Sequence, residues 1–372
     1  MHSVTHPISH LCSGTSQAVV AEHFGNASSG RKVYLQAALH ADETPAMLVA
    51  TRLRDKFLAL EVQGRLRAEV VLVVMANPLG LNQWLMGAPQ GRFELASGRN
   101  YNRGFPMVFK AVAQRLEGAL TDDVDTNRQR VRAAWGEALA ALPVTDAFGS
   151  LQHVLMTQAH DADIVLDLHC SREATMHLYV GDECWPAAEP LARYLGAQAS
   201  LLALDSGAFS FDEAQSYTWW QLRQHFGTTY PMPEGPVSVT VEHRGQRDVS
   251  YEQADADADA IIQYLTHTGD IAGDAQPLPP LLHPATPLAG SEQFRAPCAG
   301  ILVHRAALGT MVEVGQPVFD IVAPLTGEVH TVSSRTQGVL YMRRDVRFVN
   351  AGDPLGRVTG QRVQRSGMLL GA

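Results

Sequence analysis

The sequence predicts an α/β protein in which a mixed sheet is flanked by helices and followed by a small all-β, barrel-like domain. Three observations carry that prediction. Over the first 270 residues, short apolar runs of strand length alternate with longer amphipathic stretches. Five prolines then fall within QPLPPLLHPATPL at 276–288, which excludes both a continuing helix and a central strand. Beyond it come short β-rich runs separated by Gly and Pro turns. The expected organisation is an α/β domain at 1–275, a Pro-rich linker at 276–289 and a β domain at 290–372.

The elements follow in order. VYLQAAL (33–39) reads as a buried strand that ends at His40. Thr44 suits an N-cap, Pro45 the first helical position, and AMLVATRLRDKFLAL (46–60) supplies the apolar face of a helix. VVLVVMA (70–76) is a strand that stops at Asn77-Pro78. IVLDL (164–168), MHLYV (176–180) and VSVTVE (237–242) are further strands. Helical patterns occupy 107–142, 148–159, 186–195, 214–225 and 249–266. The alternating Ala-Asp run at 254–260 is expected on a solvated helix face.

Composition narrows the function. A chain of 372 residues exceeds what one core usually holds, so two domains are expected. With 46% apolar and 18% charged residues the chain is globular rather than disordered. A net charge of -9 without any Lys/Arg block argues against a nucleic-acid partner. Cys12, Cys170, Cys184 and Cys298 lack the pairing of a disulfide framework or a metal knuckle, which suits a reducing compartment. The N-terminal segment has no apolar h-region, and no apolar run is long enough to span a bilayer. A cytoplasmic protein with no membrane partner is expected, and a homo-oligomer is compatible with the sequence.

Three polar residues stand at predicted strand ends or just beyond. His40 ends one strand, with Glu43 three residues on in HADE, and His169 ends another in LDLHCS. The carboxyl ends of strands in an open α/β sheet converge on the ligand crevice. Two imidazoles and one carboxylate there suit a single zinc ion, with the fourth position left for water. Asp167, two residues before His169, can orient that ligand. Glu242 ends VSVTVE and can take a proton from an attacking water and pass it to a leaving amine. The segment GRFELASGRNYNRGFP (91–106) is dense in Arg and Asn. Arg103 can hold a carboxylate through two parallel hydrogen bonds, with Asn102 as a further donor. Arg92 or Arg99 can stabilise an oxyanion.

HADE, NYNR, LDLH and TVEHRGQRD occur in the order found in the succinylglutamate desuccinylase/aspartoacylase family, a branch of the zinc carboxypeptidase superfamily, and the chain resembles that family over about residues 30–265. The resemblance implies a zinc-carboxypeptidase-like sheet and one Zn2+ per chain held by His40, Glu43 and His169. It implies Glu242 as general base and acid, Arg92 as the group that polarises the scissile carbonyl, and Asn102 and Arg103 as binders of the substrate carboxylate. Where the family often has Asp, this chain has Asn100. Tyr217 and Tyr230 are both candidates for a mobile tyrosine. The expected activity is deacylation of a small N-acyl amino acid or related amide, and the alternative is a metallocarboxypeptidase acting on short peptides. The C-terminal part resembles a biotinyl/lipoyl-type barrel, but the lysines fall only at 32, 56 and 110, so it has no attachment residue. It is expected to cover the crevice or to build an oligomer interface.

Overall fold

A computed structural model of the chain describes residues 1–371. A hairpin of β1 (His2–Pro7) and β2 (Ala18–Phe24) opens it. β3 (Lys32–Ala37) follows, and α1 (Thr44–Val62) returns the chain to β4 (Glu69–Val73). A short α2 (Pro78–Leu81) and the small hairpin of β5 (Trp84–Leu85) and β6 (Ala88–Pro89) precede α3 (Phe109–Leu116), α4 (Val124–Ala140) and α5 (Ala147–Ala159). Then come β7 (Ile164–Ser171), β8 (Glu173–Ala174), β9 (His177–Val180), α6 (Trp185–Leu195), β10 (Ala199–Leu202), α7 (Phe211–Phe226), β11 (Val237–Gly245), α8 (Tyr251–His267) and β12 (Thr286–Pro287).

Nine of these strands form one mixed sheet in the order β1-β2-β4-β3-β7-β11-β9-β10-β12. β4, β3, β7 and β11 run parallel at its centre, while β9 is antiparallel to β11. Val33, Tyr34 and Leu35 of β3 are all fully buried, because helices cover both faces and neither can carry polar side chains. On one face Leu53 and Phe57 of α1 pack with Leu191 of α6 and Ile261 of α8. On the other, Val112, Trp135, Leu155 and Leu222 come from α3, α4, α5 and α7. Each such side chain contributes about 1.5–3 kcal/mol through burial.

The C-terminal strands are β13 (Glu292–Arg295), β14 (Gly300–His304), β15 (Met311–Val312), β16 (Pro317–Val322), β17 (Val329–Ser333), β18 (Gly338–Arg343), β19 (Phe348–Val349) and β20 (Pro354–Val358). They make two antiparallel sheets, β13-β20-β18-β15 and β17-β16-β14-β19. Phe294, Phe319, Leu340 and Leu355 lie in their shared core. β8 pairs with β18 across the two parts of the chain, Ala174 opposite Met342 and Glu173 opposite Arg343. No helix among the described residues is long and apolar enough to cross a membrane.

Several local features differ from the sequence expectation. The helix read over 107–142 is two helices, separated by a turn with Gly118 at φ +69° and restarted by Asp123, whose side chain accepts from Thr126 N at 2.7 Å. Glu43, not Thr44, is the N-cap of α1, and its carboxylate makes no capping bond because other groups engage it. β1 carried no strand signal, since HSVTHP is a mostly exposed edge strand with polar residues. The Ala-Asp run is solvated only in part, at Ala256 and Asp259. Ala254 and Ala258 enter the core, Asp257 is buried against His243 and Arg244, and Asp255 and Asp259 reach Arg52 and Lys56 on α1. The Pro-rich segment packs against α6, where Arg193 Nε donates to Pro279 O and Tyr194 Oη to Gln276 O, and it gives β12 to the sheet edge.

Candidate metal centre and substrate cavity

β3 and β7 are adjacent and parallel, so their carboxyl ends open at one edge. The chain leaves β3 toward β4 on one side and later adds β7 on the other, which makes this a topological switch point. Ala38 bends the chain there with φ +61°, a left-handed conformation that alanine rarely adopts. Asn77 fixes the bend from below: its Nδ2 donates to Leu39 O at 2.9 Å and its Oδ1 caps α2 at Gly80 N. Gly91 packs directly on the next residues, where a Cβ would lie 2.2 Å from Asp42 N. Only glycine permits that approach, and it sets Arg92 beside His40.

His40, Glu43 and His169 are all buried, and one ligating atom from each lies within 4.8 Å of the others. Glu43 Oε1 is 3.0 Å from His40 Nδ1, and Oε2 is 2.7 Å from His169 Nδ1. The far side of each ring is held by an oxygen. His40 Nε2 lies 2.8 Å from Asn100 Oδ1, and His169 Nε2 lies 2.9 Å from Asp167 Oδ2. Protons on both Nε2 atoms leave both Nδ1 lone pairs facing the Glu43 carboxylate, the tautomer that ligation requires. Burial, reinforced by Arg92, lowers the His40 pKa to about 4 and keeps that ring neutral. Burial alone would raise the Glu43 carboxyl, but the two imidazoles outweigh it and hold it well below the ordinary range. Burial also opposes charge on His169, yet Asp167 and Glu43 push its pKa up. Borderline nitrogen donors with one carboxylate are a donor set that fits a zinc-like divalent cation.

Arg92 Nη1 sits 3.2 Å from both Glu43 Oε1 and His40 Nδ1. Arg99 is elsewhere: it pairs with Glu94 and Asp146 and stacks on Phe148 at 4.1 Å. Asn102 accepts from Phe211 N at 2.8 Å, and its amide nitrogen lies 3.3 Å from His169 Nε2. Arg103 donates to Asn102 O at 2.7 Å and to Gly371 O at 2.9 Å, while its buried Nε has no partner. Glu242 stands in register beside His169 on the neighbouring strand and accepts from Ser171 Oγ at 3.3 Å. Burial, then the nearby Glu43 charge, pushes its pKa up to about 7.

His40, Glu43, Arg92, Asn102, Arg103, His169 and Glu242 line one cavity of about 740 Å³. Its wall includes Met342–Val346 and Pro354–Arg357 of the C-terminal sheets and Leu370 and Gly371 of the tail. Leu369 anchors that tail, buried with Leu201, Leu288 and Tyr341.

A sequence profile of the succinylglutamate desuccinylase/aspartoacylase catalytic domain matches residues 29–268. The chain belongs to this family. Two crystal structures of succinylglutamate desuccinylase/aspartoacylase family proteins superpose on almost the whole chain. The one from Shewanella frigidimarina NCIMB 400 is 25% identical with a TM-score of 0.81 over 96% of this chain and 97% of that one. The one from Shewanella amazonensis SB2B is 26% identical with a TM-score of 0.80 over 96% and 98%. The ectoine utilization protein EutE (DoeB) from Ruegeria pomeroyi, solved with product bound, shares the fold at 17% identity and a TM-score of 0.66 over 96% and 95%. No curated protein matches in sequence.

Within this family member, the cavity also holds residues that sequence reasoning did not single out. Neither Tyr217 nor Tyr230 lines it, since Tyr217 stacks on Trp220 and Tyr230 packs on the helical core. The cavity tyrosine is Tyr179 of β9, two residues beyond His177 on the same strand face. Its position inside an apolar strand was the available signal. Asp212, Arg172 and Arg357 also face the cavity. Arg357 is a lone charge in the strand PLGRV, which is the only mark it leaves in the sequence.

Proposed function

We propose that the chain is a zinc-dependent amidohydrolase, with one Zn2+ per chain, that deacylates a small N-acyl amino acid or a related amide bearing a free carboxylate. His40, Glu43 and His169 would hold the cation. When bound, it would polarise a carbonyl and lower the pKa of a water toward neutrality. Glu242 accepts a proton from the attacking water and delivers it to the departing nitrogen. Its elevated pKa suits a group that must both take and give a proton near pH 7. The Arg92 guanidinium faces the developing oxyanion, and loss of such a donor costs about 3–4 kcal/mol of barrier. Arg103, with its free Nε–H, and the Asn102 amide hold the substrate carboxylate.

The observation that carries this reading is that all of these groups line a single cavity of about 740 Å³ walled by the C-terminal sheets. That volume suits a small molecule. An exopeptidase would need an open groove for the rest of a peptide, and segments 342–346, 354–357 and 370–371 stand in its way. In this reading residues 1–275 are the catalytic part, 276–289 the linker and 290–372 a cover that limits substrate size. The four free cysteines suit a cytoplasmic setting. A hydrolysis screen tests the proposal: acetyl-, formyl- and succinyl-amino acids against di- and tripeptides, with and without a chelator. Chelator-sensitive release of amino acid from acyl substrates is expected, and preferential cleavage of peptides would overturn it.

A further inference from the structure

We propose that residues 367–371 form an autoinhibitory strap: the Gly371 carbonyl sits where a substrate carboxylate would meet Arg103, and the strap lifts when a carboxylate takes that place. The proposal rests on the reading that Arg103 receives the substrate carboxylate, and it adds a contact within the chain that regulates access to it.

Arg103 spends its donors unevenly. Nη1 donates to Asn102 O at 2.7 Å and Nη2 to Gly371 O at 2.9 Å, while Nε is buried and unbonded. Nε and Nη2 form one edge of a guanidinium, and this chain pairs that edge with carboxylates elsewhere. Arg31 holds Asp270 through Nε at 2.6 Å and Nη2 at 3.2 Å, and Arg52 holds Asp255 at the same two distances. On Arg103 one of the two nitrogens carries only a neutral carbonyl and the other is idle. A carboxylate offers that edge two charge-assisted hydrogen bonds, so the exchange favours the ligand. It also satisfies the buried Nε–H, which costs free energy while it lacks an acceptor. Leu370 and Gly371 line the same cavity as Arg103, so the strap lies where the ligand must arrive.

The tail is fixed up to Arg365 and lightly held beyond it. Gln364 N and Arg365 N donate to Ala289 O at 2.9 and 3.1 Å, and Arg365 Nη2 donates to Leu288 O at 3.0 Å. Gly367 then turns with φ +76°, and open space lies where a Cβ would stand, so the turn can hinge without a clash. Past it the backbone is held at Leu369, whose N donates to Ser206 O at 2.8 Å and whose O accepts from Arg365 Nη1 at 3.0 Å, and at Gly371 by Arg103. Met368 is exposed, and the buried Leu369 side chain is the anchor, packed with Leu201, Leu288 and Tyr341. A segment held by so few contacts opens at a small cost in free energy. While it is down, the affinity of a carboxylate for Arg103 is reduced in proportion to the fraction of molecules that are open.

The test uses the full chain and two probes, 4-oxopentanoate and 4-oxopentanamide. In the first a methylene replaces the amide nitrogen of N-acetylglycine, so nothing is cleaved, and the second lacks the carboxylate. Hydrogen exchange followed by mass spectrometry reads the peptide that contains Leu369, and calorimetry reads affinity. In the wild type, saturating 4-oxopentanoate is expected to speed exchange in that peptide at least threefold, and 4-oxopentanamide is expected to leave it unchanged. Leu369→Ala, which loosens the anchor, is expected to bind 4-oxopentanoate at least fivefold more tightly than the wild type and 4-oxopentanamide within twofold of it. Binding of 4-oxopentanoate to the variant alone also supports the strap. Exchange that stays the same or slows when the wild type is saturated with 4-oxopentanoate overturns the proposal, as does a variant that tightens both probes equally or neither, or an absence of 4-oxopentanoate binding to both proteins. If Leu369→Ala does not fold, the wild-type exchange decides. Release of the strap by 4-oxopentanoate, with no hydrolysis of any acyl-amino acid, would sink the deacylase reading and leave the strap standing. Hydrolysis with a strap that never lifts would do the reverse.

Discussion

Asp167 offers the sharpest handle on the candidate metal centre, because it acts on the ligand set without belonging to it. It is fully buried, and its two oxygens accept from His169 Nε2 at 2.9 Å and Gln36 Nε2 at 2.9 Å. The carboxylate fixes the His169 tautomer and raises the basicity of Nδ1, the atom that faces Glu43. Asp167→Asn keeps the shape and one acceptor but removes the charge and turns the other oxygen into a donor. Loss of such an outer partner typically costs about 10–100-fold in metal affinity. A hydrogen bond to a charged group is worth about 1.5–3 kcal/mol, which spans the same range. The expected loss is therefore about 30-fold, or about 2 kcal/mol. Asn100→Asp is the counterpart. Asn100 Oδ1 serves His40 Nε2 at 2.8 Å, while its buried Nδ2 has no partner, so the substitution adds charge and sacrifices no bond. It should tighten metal by up to about tenfold. Competition against a chelator of known affinity measures both. Affinities within threefold of wild type in Asp167→Asn would refute the reasoning.

Other predictions concern the proposed chemistry and the fold. Glu242→Gln should retain metal but lose at least about 100-fold in kcat. In the wild type, kcat/KM should fall as pH drops through the Glu242 titration, near 7 in this structure and lower once a cation adds positive charge, and steady-state profiles would show whether the residual rate of Glu242→Gln lacks that acid limb. Arg92→Ala should lower kcat by about 100–1,000-fold with little change in KM, whereas Arg99→Ala, a loop anchor on Phe148, should leave kcat within about threefold. Asp257 is held down to about 2, against burial, by His243 and Arg244. A depressed carboxyl contributes stability above its unfolded pKa and loses it as pH falls through its folded value, so Asp257→Asn should be about 2 kcal/mol less stable at pH 6, with the gap closing between pH 4 and 2 in chemical denaturation.

The parts of the site that were legible in the sequence are those fixed by single strands. His40 and His169 follow short apolar runs, and parallel neighbours must end at the same edge, so the runs alone indicate convergence. Glu242 is legible for the same reason, and register places it beside His169. What the sequence could not convey depends on packing between distant segments. Arg343 and Arg357 reach the cavity because a two-residue strand, Glu173–Ala174, pairs with β18, and nothing in EA announces that pairing. The choice between Arg92 and Arg99 turns on whether Gly91 can lie flat on Asp42, a matter of ångströms rather than composition. The buried Asp257 was misread because alternation of Ala and Asp looks solvated until Arg244, at φ +63°, is seen to turn back onto it.

The central claim is that His40, Glu43 and His169 together hold one divalent cation. Elemental analysis of protein purified without added metal tests it most directly, on the wild type and on His40→Ala, Glu43→Ala and His169→Ala. The account predicts close to one zinc per chain in the wild type and a loss of most of it in each variant. Undiminished zinc in all three variants would contradict it.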